Sequence, residues 1–256
     1  MKAFVYVTFY FMSLSVSAQL QPIEPGVYHW KDFPVKKRTD RESRAIFEGT
    51  SPHFEYFEIH ATTQMPGAKP AAPHDNKDIE ELLIVKEGKM KVTIGDKTAV
   101  LGKGGVILIL PEEMQTFENV GETNLTYYVL RYRSRKPMNL ERGIKGGGSL
   151  LISKDSLEFI SNDKGGRYNY FDRATSMCEN FELHLTQRTV KGPSHAPHSH
   201  VDSEIILALE GDPQVGIGDK EYNGEPGDLF FINSGLVHNG GNGSDAPCLY
   251  FAFKWR

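Results

Sequence analysis

Short runs of β-branched and other apolar residues follow one another along this chain, and glycine or proline separates most of them. Runs of this length between turn residues predict β-strands, and no segment shows a long helical period. Short strands at close, regular spacing predict an all-β protein built as a sandwich or barrel. The predicted strands include residues 81–86, 89–94, 105–110, 125–132, 204–209, 228–232 and 248–253.

The pattern occurs twice. The segment Phe-Glu-Ile-His at 57–60 recurs as Phe-Glu-Leu-His at 181–184, and the Glu-x6-Gly spacing that begins at Glu81 recurs at Glu204. A repeat of this length exceeds the roughly 20–50 residues of a solenoid unit and predicts a duplicated domain. The predicted division is an N-terminal arm at 19–52, a first barrel at 53–135, a linker at 136–165 and a second barrel at 166–256.

Two histidines, His60 and His184, occupy matching positions in the repeat. Each lies on a strand whose apolar residues alternate with polar ones. If the apolar side chains point into the barrel, the period of two places both histidines on its outer face. We therefore expect them to have a packing role.

Two segments of the second repeat combine residues that can bind a metal. The first reads His-Ser-His-Val-Asp-Ser-Glu from His198 to Glu204, and the second runs from Gly227 to Asn242 and contains His238. Residues two apart on a strand share a face, so His198 and His200 should converge, and Glu204 should reach the same face. Three imidazoles and one carboxylate suit a divalent transition metal and leave positions for water or substrate.

These two segments resemble the paired motifs of the cupin family, which are small jelly-roll β-barrels that hold one metal between the motifs. The resemblance covers both repeats and implies two tandem cupin domains, a bicupin, with the metal in the C-terminal one. It implies His198, His200, Glu204 and His238 as ligands of one divalent metal: Mn, Zn or Fe, with Ni and Co as further candidates. Asn233 stands at a loop position where the family usually has proline.

The first repeat keeps only part of this set. His74 and Glu81 are retained, whereas Asn76 replaces the second histidine and the spacing places Thr116 at the late one. Glu113 takes the place of the loop glycine. Catalytic metal sites keep about three protein ligands, so we expect the first barrel to be a scaffold without a metal.

Two further residues could contribute to chemistry. His195 lies three residues before His198 and is the candidate acid or base beside the metal, the alternative being a residue of an exposed approach loop. Tyr250, on the last predicted strand, could line the mouth of the pocket or be a core aromatic.

The first 18 residues predict a secretory signal peptide. Lys2 precedes an apolar run, and small residues end it at Ala18. We therefore expect a secreted or periplasmic protein that has no membrane association after cleavage. In an oxidising compartment Cys178 and Cys248 could form a disulfide, although cysteine is often simply a small buried apolar residue.

Charge excludes one class of partner. Lysine and arginine total 29 against 33 aspartates and glutamates, so there is no basic surplus to attract nucleic acid. The expected partner is a small-molecule substrate, with a homodimer as a candidate assembly.

The expected function is redox-neutral metal chemistry by an isomerase, lyase or hydrolase. Redox-neutral chemistry is favoured because Fe(II), which oxygen chemistry would need, is hard to keep reduced outside the cytoplasm. The expected substrate is a small oxygenated molecule such as a sugar acid or ureido acid. A metal-dependent dioxygenase and a non-catalytic small-molecule-binding cupin are the alternatives.

Overall fold

The computed structural model describes residues 19–256, and the predicted signal peptide lies outside the described residues. The described chain is almost entirely β-structure, which confirms the predicted fold class. One short α-helix, α1 (Leu140–Lys145), and two 3₁₀ turns, Trp30–Asp32 and Lys154–Ser156, interrupt the strands. Among the described residues, no helix has the length and apolar character needed to cross a membrane.

The first strand of the described residues belongs to the second barrel, and the strands that follow it form the first. The strands up to the linker are β1 (Gly26–Tyr28), β2 (Lys36–Lys37), β3 (Arg41–Gly49), β4 (Phe54–Gln64), β5 (Glu80–Glu87), β6 (Met90–Ile94), β7 (Lys97–Leu101), β8 (Val106–Ile109), β9 (Gln115–Asn119), β10 (Leu125–Ser134) and β11 (Leu150–Ile152). The first barrel consists of a seven-stranded sheet, β11-β8-β5-β10-β4-β3-β2, and a three-stranded sheet, β7-β6-β9.

The second barrel repeats this plan. Its remaining strands are β12 (Phe159–Asn162), β13 (Gly165–Arg173), β14 (Phe181–Arg188), β15 (Gly192–Pro193), β16 (Ser203–Glu210), β17 (Pro213–Ile217), β18 (Lys220–Asn223), β19 (Leu229–Ile232), β20 (His238–Asn242) and β21 (Cys248–Trp255). They form a seven-stranded sheet, β1-β19-β16-β21-β14-β13-β12, and a four-stranded sheet, β15-β20-β17-β18.

The N-terminal segment connects the two barrels. Strand β1 pairs with β19, and the Trp30 backbone N–H donates to Asp228 Oδ1 over 2.8 Å. The Trp30 ring then packs edge-on against Tyr128 of the first barrel, with 5.6 Å between ring centroids. This segment therefore contacts both barrels.

The largest hydrophobic core lies between the two seven-stranded sheets and contains residues from both barrels. Its fully buried members include the aromatic residues Phe54, Phe57, Tyr128, Tyr132, Phe181, Phe231, Phe251, Phe253 and Trp255. A smaller apolar cluster fills each barrel. Because they share one core, we expect the two barrels to unfold together.

This shared core reverses the predicted orientation of two histidines. Along β14, Phe181, Leu183 and Leu185 enter the shared core, whereas His184 lines a cavity inside the second barrel. The apolar face of the strand points to the other barrel, and the polar face points inward. His60 alternates with shared-core residues in the same way on β4. His60 pairs across the sheet with Val129, a member of the apolar cluster inside the first barrel. The prediction of an outer face was therefore wrong for both histidines.

The two cysteines lie in different places. Cys178 belongs to the shared core, and Cys248 belongs to the apolar cluster of the second barrel. Both are free and buried, so they act as small apolar residues and form no disulfide in this structure.

Candidate metal centre

The predicted ligand residues come together at one end of the second barrel. His198 and His200 lie in the loop before β16, rather than on a strand as predicted; Glu204 lies within β16, and His238 begins β20. Two backbone hydrogen bonds join His198 to His238, from His198 N to His238 O over 3.0 Å and from His238 N to His198 O over 2.8 Å. This bridge holds the loop against the strand.

The side chains of these residues form a compact cluster. One ring nitrogen from each of His198, His200 and His238 lies within 4.8 Å of the others. Oε2 of Glu204 lies 3.1 Å from Nε2 of His200 and 3.3 Å from Nε2 of His238. Neighbouring ligands at about 2.1 Å from one ion are separated by roughly 3 Å, so these spacings suit a shared metal.

The hydrogen bonds of the rings indicate which nitrogens are free to bind a metal. Nδ1 of His238 donates to the Leu236 carbonyl over 2.9 Å, and Nδ1 of His200 donates to the Asp202 carbonyl over 3.1 Å. In a neutral ring this leaves the lone pair on Nε2, and both Nε2 atoms point at the Glu204 carboxylate. Three acceptors then face one another, an arrangement that a cation between them stabilises.

A buried atom without a partner supports the same conclusion. Nε2 of His238 is buried and has no hydrogen-bond partner of acceptable geometry among the described residues. Metal-binding histidines typically donate their other N–H to a carbonyl or carboxylate, as His200 and His238 do here. The residues therefore fit a divalent metal.

Glu204 is ionised at neutral pH. Burial alone would raise its pKa, but when the rings of His200 and His238 are protonated, their hydrogen bonds and charges outweigh burial and lower it to about 2. A divalent cation in the place of those protons would favour the carboxylate in the same direction. The centre therefore offers one carboxylate and three imidazoles, as the sequence predicts.

The centre opens into a cavity of about 390 Å³. Much of its lining is polar, and it includes Glu182 and Lys254, which the sequence did not single out, and His184, for which the sequence predicted only a packing role. Nδ1 of His184 lies 3.2 Å from Glu182 Oε1, and Lys254 Nζ lies 2.8 Å from Glu182 Oε2. The alternation along β14 would have predicted that His184 lines the cavity if the apolar face of the strand had been assigned to the contact between the barrels.

Tyr250 and His195 both lie in this lining. The Tyr250 hydroxyl is 3.1 Å from the Ser194 hydroxyl, and burial raises its pKa to about 12, so it stays protonated. His195 is exposed, and its ring lies edge-on to that of His198 with 4.6 Å between centroids. Its Nδ1 is 3.0 Å from the Ala196 carbonyl, which leaves Nε2 free. His195 is therefore beside the cluster and not within it.

The first barrel has an ion pair at the matching place. Glu81 Oε1 accepts from Arg131 Nε over 3.1 Å, and Oε2 accepts from Gln115 Nε2 over 2.6 Å. Nη2 of Arg131 also donates to Asn76 over 3.2 Å. The guanidinium thus neutralises the carboxylate that would otherwise face a metal, and the described residues form no second cluster of three ligands.

The structure corrects the sequence register in this region. The backbone bridge between His198 and His238 is matched in the first barrel by one between His74 and Gln115, so Gln115 replaces the late histidine, and not Thr116. The loop residue that matches Gly235 is likewise Glu112, whose φ of 69° is positive like that of the glycine, and not Glu113.

Comparisons with known proteins agree with the fold. Residues 185–253 match the family model described as a cupin domain, and residues 56–153 match the AraC-like ligand binding domain. A comparison with curated proteins found no match. Together with the fold, the two family matches support membership of the cupin superfamily.

Several solved structures share this architecture. The protein Ylba from E. coli is 15% identical with a TM-score of 0.71, and the alignment covers 97% of this chain and 98% of that one. AerE from Microcystis aeruginosa is 14% identical with a TM-score of 0.67, over 88% and 97% of the two chains. Oxalate decarboxylase from Bacillus subtilis, described with Mn(II) centres, is 14% identical with a TM-score of 0.69, over 90% and 77%. At these identities the likeness concerns the fold alone.

Proposed function

We propose that this chain is a bicupin enzyme that uses one divalent metal in its second barrel. It would catalyse a redox-neutral isomerisation, elimination or hydrolysis of a small oxygenated substrate such as a sugar acid or ureido acid. The observation that carries the proposal is the convergence of His198, His200, His238 and Glu204 on the wall of a polar cavity of about 390 Å³. A cavity of this size suits a small molecule rather than a polymer.

The proposed ligands are His198, His200, Glu204 and His238, and the candidate metals remain Mn, Zn or Fe, with Ni and Co. The Mn(II) centres of the structurally similar oxalate decarboxylase make Mn the first to test. A divalent ion held here would act as a Lewis acid toward an oxygen of the substrate.

The remaining lining can bind the substrate and move protons. His184 pairs with Glu182, the usual arrangement for orienting an imidazole, and both face the cavity. The hydrogen bonds from His184 and Lys254 outweigh burial and hold the pKa of Glu182 at about 2, so it remains a carboxylate. The Tyr250 hydroxyl can donate to a substrate oxygen. These groups suit proton transfer without any change of oxidation state.

A substrate screen separates this function from its alternatives. Purified protein loaded with Mn, Zn or Fe would be incubated with uronates, ureido acids and phenolics, and products and oxygen would be measured together. Turnover without oxygen consumption supports the proposal. Consumption of one O2 per product would show a dioxygenase, and a retained ligand without product would show a binding protein.

The proposed location is the periplasm or the exterior, and the proposed assembly is a homodimer. The location follows from the pattern of residues 1–18, and the N-terminus of the secreted protein would show whether these residues are removed. Light scattering on the same sample would give its mass.

His195→Gln tests the proposed acid or base beside the metal. If His195 transfers a proton, the variant should retain its metal but lose roughly 100-fold in kcat or more, together with one limb of the pH–rate profile. Because the ring is exposed, stability should not change. Wild-type rates and pH profile would identify His195 as an ordinary loop residue, and loss of metal would show that it is a ligand.

Chelation should destabilise the whole described chain in one transition. A ligand that binds only the folded state stabilises it by RT ln(1 + [L]/Kd), about 2.7 kcal/mol at a hundredfold excess over Kd. For a protein of this size, EDTA should therefore lower Tm by roughly 5–10 °C. Scanning calorimetry would show one shifted peak because the barrels share a core. An unshifted peak would contradict a bound metal.

A further inference from the structure

One buried charged side chain in the cavity has no partner. Arg188, at the end of β14, is 5% exposed and lines the same cavity as the histidine cluster. Its Nε and Nη2 atoms are buried, and neither has a hydrogen-bond partner among the described residues. A buried charge without a counter-ion is unfavourable, and charged residues are almost never fully buried unless they are paired.

The other two cations that line the cavity differ from Arg188, because Arg167 is exposed to solvent and Lys254 is paired. Lys254 lies 2.8 Å from Glu182, and Arg256 donates to Asp202 over 2.6 Å. No carboxylate of the described residues lies within ion-pair distance of Arg188. The missing partner is therefore expected to come from a molecule in the cavity.

The first barrel provides an internal comparison. Arg188 pairs with Cys248 across the sheet, and at the matching place of the first barrel Gln64 pairs with Leu125. Gln64 is buried and satisfied by the protein, since its Nε2 donates to Tyr127 over 3.2 Å and its Oε1 accepts from Asn119 N over 3.1 Å. A neutral, bonded residue thus occupies this place in the barrel that lacks the histidine cluster.

The chemistry of guanidinium indicates the class of partner. Nε and Nη2 lie on one edge of the group, and these two N–H donors bind both oxygens of a carboxylate in parallel. We propose that Arg188 binds the carboxylate of a small monocarboxylic acid whose remaining atoms extend toward the metal centre. The inference rests on the proposed function only in taking the cavity as the substrate site.

The test compares carboxylate binding in wild type and Arg188→Gln. This variant introduces the residue that the first barrel carries at the same place, and Tyr250 and Asn242 match the residues that bond to Gln64. The probes are acetate, glycolate and D-galacturonate, with D-galactose as the neutral counterpart of the last. Titration calorimetry would give Kd, and Lys220→Gln, which removes an exposed charge outside the cavity, serves as the control.

At least one carboxylate should bind wild type and Lys220→Gln alike, with Kd raised about 10- to 100-fold in Arg188→Gln. Galactose should show no such difference. Equal carboxylate binding by wild type and Arg188→Gln, or none by either, would overturn the proposal.

A second measurement separates binding from structural support. Without added carboxylate, Arg188→Gln should melt at or above the wild-type temperature and keep the same metal content, because it removes an unpaired buried charge. A fall of several degrees would show that Arg188 supports the fold instead. Carboxylate binding requires no turnover, so the Arg188 proposal can be confirmed even if the substrate screen finds no reaction. Turnover of neutral substrates alone would support the enzyme proposal and contradict the Arg188 proposal.

Discussion

Replacing Glu204 with alanine is expected to abolish metal-dependent activity. Glu204 is the one carboxylate in the cluster, and its Oε2 lies 3.1 and 3.3 Å from two of the three histidines. Its loss would remove a ligand and leave a doubly charged ion among neutral imidazoles. Losing an outer-shell partner already costs about 10–100-fold in metal affinity or activity, so we expect more than 100-fold here. Metal content after dialysis and kcat on the same sample would measure the effect.

The matched control is Glu81→Ala in the first barrel. Glu81 occupies the equivalent strand position but is paired with Arg131, which would lose its partner. We expect lower stability with unchanged metal content and unchanged activity per folded molecule. If Glu81→Ala were inactive while folded and metal-loaded, the first barrel would be more than a scaffold.

The double variant His198→Ala/His238→Ala is expected to bind no metal. These two residues are joined by the backbone bridge and contribute two of the three imidazoles. The remaining pair, His200 and Glu204, falls below the three protein ligands typical of such sites. Its Tm should equal that of chelated wild type and should not respond to EDTA, as measured by calorimetry.

His74→Ala/Gln115→Ala is the matched control, because these residues form the same bridge in the first barrel. This variant should bind metal as wild type does and retain the EDTA shift. Metal retained by the first double variant, or lost by the second, would place the binding site elsewhere.

Strand content and the members of the histidine–glutamate cluster could be predicted from the sequence because both depend on local patterns. Apolar runs between turn residues define strands, and the duplicated spacing indicates two similar barrels. The short spacing from His198 to Glu204 restricts where these side chains can lie, although the structure places the two histidines in a loop.

The inward and outward faces could not be assigned from the same pattern. A period of two shows that His184 and Leu183 point in opposite directions, but not which face meets the other barrel. The largest apolar core lies between the barrels, so the apolar face of β14 turns away from its own cavity.

The sequence alignment of the first repeat with the second was wrong near β9 for a local reason. The loop before β9 places Glu112, a non-glycine residue, at a positive φ of 69°, which sequence spacing alone does not reveal. The sequence comparison therefore aligned His238 with Thr116 instead of Gln115, an error of one residue.

The absence of a partner for Arg188 could not be predicted from the sequence either, because it depends on which side chains from distant strands reach the cavity.

Elemental analysis of the purified full chain tests the central claim most directly. After dialysis against metal-free buffer, wild type should retain one equivalent of a single divalent transition metal per chain, and His198→Ala/His238→Ala should retain none. Two equivalents in wild type, or one equivalent that survives in the double variant, would contradict a single metal centre in the second barrel.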